Sequence, residues 1–118
     1  DLSFFINSFN EQYYLTGIAL LKEGFTISGS DSKPSELTEH LISLGATVNY
    51  PQKASNITDG IDVVVYTAAI HEDNPELMEV RRQGLPTLTR AELLGQLMKN
   101  YKHTIFLIII QILLELHL

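Results

Sequence analysis

The sequence predicts an α/β protein, a three-layer sandwich around a mostly parallel sheet of five to six strands. Three observations predict it. Short apolar or β-branched runs alternate with amphipathic stretches along the chain, the order of parallel strands joined by crossover helices. Asp62–Thr67 (DVVVYT) is nearly all apolar, as a central strand buried on both faces must be. Leu2–Asp31 reads strand–helix–strand with an acid after the second strand, the nucleotide-binding half of a doubly wound sheet.

The elements follow in order. Leu2–Ile6 is a buried strand and Tyr14–Glu23 a helix, with Tyr14, Leu15, Ile18, Leu20 and Leu21 inward and Gly24 at its C′ position. Phe25–Gly29 is the second strand. Ser32-Lys33-Pro34-Ser35 starts a helix with Pro34 early and Glu36 in the first turn; Leu37, Leu41, Ile42 and Leu44 form its stripe and Gly45 stops it. Thr47–Tyr50 is a short strand closed by Pro51, and Ala54–Ile57 is at most one helical turn before the Asp59-Gly60 turn. After Asp62–Thr67, Asn74 caps a helix with Pro75 at its first position, Leu77, Met78 and Val80 inward, and Gly84 at its end. Leu85–Leu88 is a strand. Thr89 caps the helix Arg90–Asn100, with Leu93, Leu94, Leu97 and Met98 on its core face, and His103–Ile110 is the last strand.

Composition narrows the function. The 118 residues make one domain with a real core, and 45% hydrophobic residues exclude a disordered chain. A net charge of −6, with only 8 Lys plus Arg and no basic cluster, argues against a nucleic-acid surface. With no cysteine there is no disulfide, thiol catalysis or cysteine-ligated metal. Asp1-Leu2-Ser3 has no basic n-region, so no signal peptide is expected, and the expected compartment is the cytoplasm. Thr104–Leu118 (TIFLIIIQILLELHL) is shorter than the roughly 20 apolar residues of a spanning helix and is interrupted by Gln111 and Glu115. A buried strand running into an apolar tail is expected there, and no membrane span.

The first turn lacks what its fold normally carries. Asn7-Ser8-Phe9-Asn10-Glu11 follows the first strand, and no glycine precedes Gly17. Close approach of backbone to phosphate needs glycine, because a Cβ blocks both the tight turn and the approach.

Four stretches carry a family resemblance: LLKEGFTISGSD (Leu20–Asp31), LISLGATV (Leu41–Val48), DVVVYTAAIHEDNPEL (Asp62–Leu77) and GLPTLTRAELLGQLM (Gly84–Met98). In that order and spacing, the run from Leu20 to Thr104 resembles the N-terminal domain of the Mur ligases of peptidoglycan synthesis, nearest to the branch that joins L-alanine to UDP-N-acetylmuramate. The resemblance implies a Rossmann-like domain over residues 1–103 that holds the UDP part of the substrate at the C-terminal ends of its strands. It departs from the family in two places. A GIGG-type loop and a Gly-Met-Ser stretch are replaced by Asn7, Phe9, Asn10 and Glu11–Thr16. Where the family continues into GTHGKTT, which binds ATP, this chain reads IIQILLEL (Ile109–Leu116), with Leu113 at the lysine position. The family uses ATP and magnesium; with that loop replaced, no cofactor and no catalysis are expected of this chain alone. Both departures keep the hydrophobic pattern and remove the polar chemistry, so an engineered or rebuilt domain is expected, with 104–118 standing in for the start of the ATPase domain.

By the resemblance, the UDP-binding candidates are Asn7, Ser8, Ser30, Asp31, Ser32, Thr67, Ala68, Ala69 and Ile70. Asp31 could accept a ribose hydroxyl, or cap the next helix, or be solvated. Asn7, Ser8 and Asn10 are good caps for the first helix, whose free N–H groups attract anions. His71, Glu72 and Asp73 are adjacent and do not converge as metal ligands do, so no metal is expected. His40 belongs on a solvated face, and Tyr13 and Tyr14 are core residues before they are base-stacking ones. Three classes remain: a UDP-binding domain without turnover, whose partner is UDP-N-acetylmuramate held weakly; a non-binding scaffold that self-associates through the apolar C-terminus; and a small NAD-dependent enzyme, which the missing glycines disfavour.

Overall fold

A computed structural model of the chain describes residues 2–67 and 69–100. It contains β1 (Ser3–Asn7), α1 (Glu11–Lys22), β2 (Thr26–Ser30), α2 (Glu36–Ser43), β3 (Thr47–Asn49), a 3-10 turn at Ala54–Asn56, β4 (Val63–Tyr66), α3 (Pro75–Gln83), β5 (Thr87–Thr89) and α4 (Arg90–Asn100). The five strands form one parallel sheet in the order β3-β2-β1-β4-β5. The expected α/β sandwich is therefore present. The strand expected over 103–110 and the tail to 118 lie outside the described residues.

Strand alternation sorts the core onto two faces. Phe4 and Ile6 point to a cluster with Tyr13, Ile18 and Leu20 of α1, Leu41 of α2, and Leu93 and Leu97 of α4. Phe5 points the other way, to Val64, Ile57, Ile61 and Val80 of α3. Phe5 and Ile6 have no exposed surface, and each such side chain contributes about 1.5–3 kcal/mol by leaving water.

Element ends differ from expectation for identifiable reasons. α1 begins at Glu11 rather than Tyr14 because the Asn10 side chain accepts the Tyr13 N–H (2.9 Å), and Tyr13 is thereby drawn into the core. Pro34 stands outside α2: Ser35 is its N-cap, in a reciprocal box with Thr38. β2 starts at Thr26 because the Phe25 N–H is spent on Leu20 O, closing α1 over the left-handed Gly24 (φ 91°). β5 starts late for the same reason, the Leu85 N–H bonding Val80 O past Gly84. Leu2, expected in the buried first strand, precedes β1 and is exposed. Four residues expected on inward helix faces are exposed as well: Ile42, Leu44, Met78 and Met98. Each sits at the margin of a stripe whose centre (Leu41, Leu77 and Val80, Leu93 and Leu97) covers the sheet.

Candidate functional site

The strand order reverses between β1 and β4, where an open parallel sheet leaves a crevice at its C-terminal edge. Register brings the candidates there: Asn7 pairs with Ser30 on one side and Tyr66 on the other. The loops after β1, β2 and β4 thus carry Asn7–Ser8, Ser30–Ser32 and Thr67–Ile70 to one edge. Ala68 lies outside the described residues. Thr67 and Ile70 are partly buried, Ala69 is exposed, and the Ile70 N–H closes a turn on Thr67 O (3.1 Å).

The loop after β1 is built from side chains. Ser8 takes a left-handed conformation (φ 75°), uncommon for a residue with a Cβ. Its N–H donates to Ser30 O (3.0 Å) and its Oγ accepts from Gln52 Nε2 (2.7 Å). Gln52 Oε1 in turn accepts from Asn74 Nδ2 (2.8 Å), and Asn74 Oδ1 caps α3 by accepting from the Glu76 and Leu77 N–H groups. Phe9 is buried against Gly29, where an added Cβ would stand 2.6 Å from the ring and 2.5 Å from Ile6 O.

Asp31 does not cap α2. Its Oδ2 accepts from the Phe9 N–H (3.2 Å) and its Oδ1 from the Ser32 N–H (2.8 Å), tying the first two loops together. Ser32 is exposed. Asn7 and Ser30 face α3, and both donate to Glu76 Oε1, at 2.6 and 2.5 Å. Glu76 Oε2 accepts from Asn56 Nδ2 (2.7 Å) and the Lys53 N–H (3.2 Å), and the residue is 1% exposed.

The sequence reading missed Glu76. A signal existed: Glu76 and Val80 are four apart, so the acid shares the inward stripe of α3. Gln52, Asn56 and Arg90 were missed as well, and nothing in their neighbourhoods marks them. The Arg90 N–H donates to Tyr13 Oη (3.3 Å), Tyr13 Oη donates to Tyr66 O (3.1 Å), and Arg90 Nε donates to Thr16 Oγ1 (2.9 Å). Arg90 Nη2 is buried with no hydrogen-bond partner among the described residues, and burial pushes the guanidinium pKa down.

Glu72 pairs with Arg81, whose hydrogen bond holds its carboxyl below the usual range. Among the described residues no His, Cys, Asp or Glu cluster could hold a metal, and no helix is long and apolar enough to cross a membrane. His40 is tied to Tyr14 Oη through Nδ1 (2.5 Å), linking α2 to α1 across an exposed surface.

A parallel sheet in this order, with polar loops gathered at its switch point, defines a Rossmann-like class of domain. Residues 17–102 match the Mur ligase family, catalytic domain, and the chain belongs to that family. Within it, the chain is similar to UDP-N-acetylmuramate–L-alanine ligase of Agathobacter rectalis, 60% identical over 93 residues that cover 77% of this chain and 20% of that protein. The same enzyme of Lachnospira eligens is 58% identical over 93 residues, with the same coverage. The crystal structure of UDP-N-acetylmuramate–alanine ligase of Thermotoga maritima superposes with a TM-score of 0.75 at 26% identity, covering 83% of this chain and 23% of that one. The chain thus spans about a fifth of the length of these relatives.

Proposed function

We propose that this chain is the UDP-holding part of a UDP-N-acetylmuramate–L-alanine ligase of peptidoglycan synthesis, acting in the cytoplasm, and that alone it binds without turnover. The observation that carries this reading is the convergence of Asn7–Ser8, Ser30–Ser32 and Thr67–Ile70 at the ends of the three adjacent strands β2, β1 and β4, within a chain of this family. The side chains of Asn7 and Ser30 are committed to Glu76, so in this reading they shape the edge, while Ser8, Ser32, Thr67 and the backbone of Ala69 and Ile70 face the ligand. ATP and magnesium belong to the whole ligase, and none is assigned to this chain. The departures at the first turn and over 104–118 support an engineered origin for those two segments; an identical genomic sequence would count against it.

A second reading has its own observation. Phe9 fills the space above Gly29, and the Ser8 and Phe9 N–H groups are already taken by Ser30 and Asp31, which suits a scaffold that no longer binds nucleotide. In that reading the apolar 104–118 segment mediates self-association. Calorimetric titration with UDP-N-acetylmuramate separates the two: weak saturable heat is expected, and none at millimolar ligand, with oligomers in light scattering, would leave the scaffold. ATP-dependent turnover by the purified chain would overturn the claim that it only binds.

A further inference from the structure

Glu76 is a buried acid whose hydrogen bonds, among the described residues, come from no charged group. Two amide side chains, a serine hydroxyl and a backbone N–H fill the acceptor positions of its two oxygens, the donor complement of a carboxylate. These donors come from the end of β1, the end of β2 and the turn after β3, so one side chain from α3 pins three separate segments.

The neighbouring turn needs such a pin. Ser8 holds a left-handed backbone that glycine would adopt freely and serine does not. It is held from the start of α3 in two ways: Asn7 before it by Glu76, and its own hydroxyl through Gln52 by the N-cap Asn74.

We infer that Glu76 is the positioning residue of the β1–α1 turn, substituting side-chain hydrogen bonds for the missing glycines and so fixing the loop against which a nucleotide would rest. The link to a nucleotide rests on the function proposed above; the positioning of the turn does not.

The test uses the full 118-residue chain and Glu76→Gln, which turns a donor toward the Lys53 N–H and the Asn56 amide or toward Asn7 and Ser30. Amide hydrogen exchange followed by NMR is expected to speed up about tenfold or more at Ser8 and Phe9 and to stay unchanged at Ile18 and Leu41. A uniform rise would mean a purely structural acid, and no rise would mean an idle one; either overturns the inference. Where the unsubstituted chain gives UDP heat and Glu76→Gln weakens it, adding Ser8→Gly should return the affinity toward that of the unsubstituted chain, because glycine needs no pin; no recovery there would also overturn the inference. If Glu76→Gln does not fold, Asn7→Ala removes one donor and is expected to loosen the same two amides. UDP heat with the unsubstituted chain but no local loosening defeats this inference alone. Loosening without UDP heat defeats only the proposed function.

Discussion

At the scale of single residues, Gly29 shows how an apolar contact shapes the first turn. The Phe9 ring occupies the space that a Cβ at position 29 would need, and Ile6 O closes the other side. Gly29→Ala should therefore destabilise the chain by about 1–3 kcal/mol through overpacking, read as a lower urea midpoint. A neutral outcome would show that Phe9 can swing away. The glycine itself was legible in the sequence as part of the ISGSD stretch, but its partner was not. Phe9 stands where the resemblance places glycine, and only the fold reveals that one residue fills the hollow over the other. The buried acid was hidden differently: first-turn acids are common at exposed helix starts, and burial depends on partners 46 and 69 residues away.

At the scale of elements, helix ends marked by a glycine or a cap were legible, whereas the starts of α1 and α2 and the starts of β2 and β5 were not. Glycines and caps mark helix ends chemically, so Asn74-Pro75, Gly84 and Thr89 were placed correctly from sequence. Strands begin wherever the preceding helix has finished using backbone N–H groups, a quantity no residue type announces. The start of α2 separates Ser35 as its cap from Pro34, which was expected early within the helix. Ser35→Ala should cost about 1 kcal/mol, whereas Pro34→Ala should stay within about 0.5 kcal/mol, both from thermal unfolding. Equal losses would return the proline to the helix.

At the scale of the whole molecule, alternation alone foretold a parallel α/β sheet, but strand order came only with the structure. Its acidic surface adds a pH dependence. Glu79 is held at about 2, against an ordinary 4.5, chiefly by the hydrogen bond from Arg82 and then by that from Gln83. Glu72 and Glu92 are lowered too, by Arg81 and by the Thr89 N–H respectively. Carboxyls depressed on folding contribute stability that is whole above pH 4.5 and is lost as pH falls toward about 2. Because these pairs lie at the surface, the contribution is modest and screened by salt. The urea midpoint should fall over that window, and Glu79→Gln should flatten the fall; a curve of unchanged shape would remove Glu79 from the account.

The pin at Glu76 also sets an order of events in folding. Its bonds to Asn7 and Ser30 span 69 and 46 residues, so they are expected to close only when α3 docks beside β1 and β2. The turn after the first strand is then expected among the last parts to take shape, although it precedes α3 in the chain. A late contact of this kind acts on escape from the native state more than on its formation, so Glu76→Gln should quicken unfolding and leave the refolding rate nearly unchanged in stopped-flow measurements.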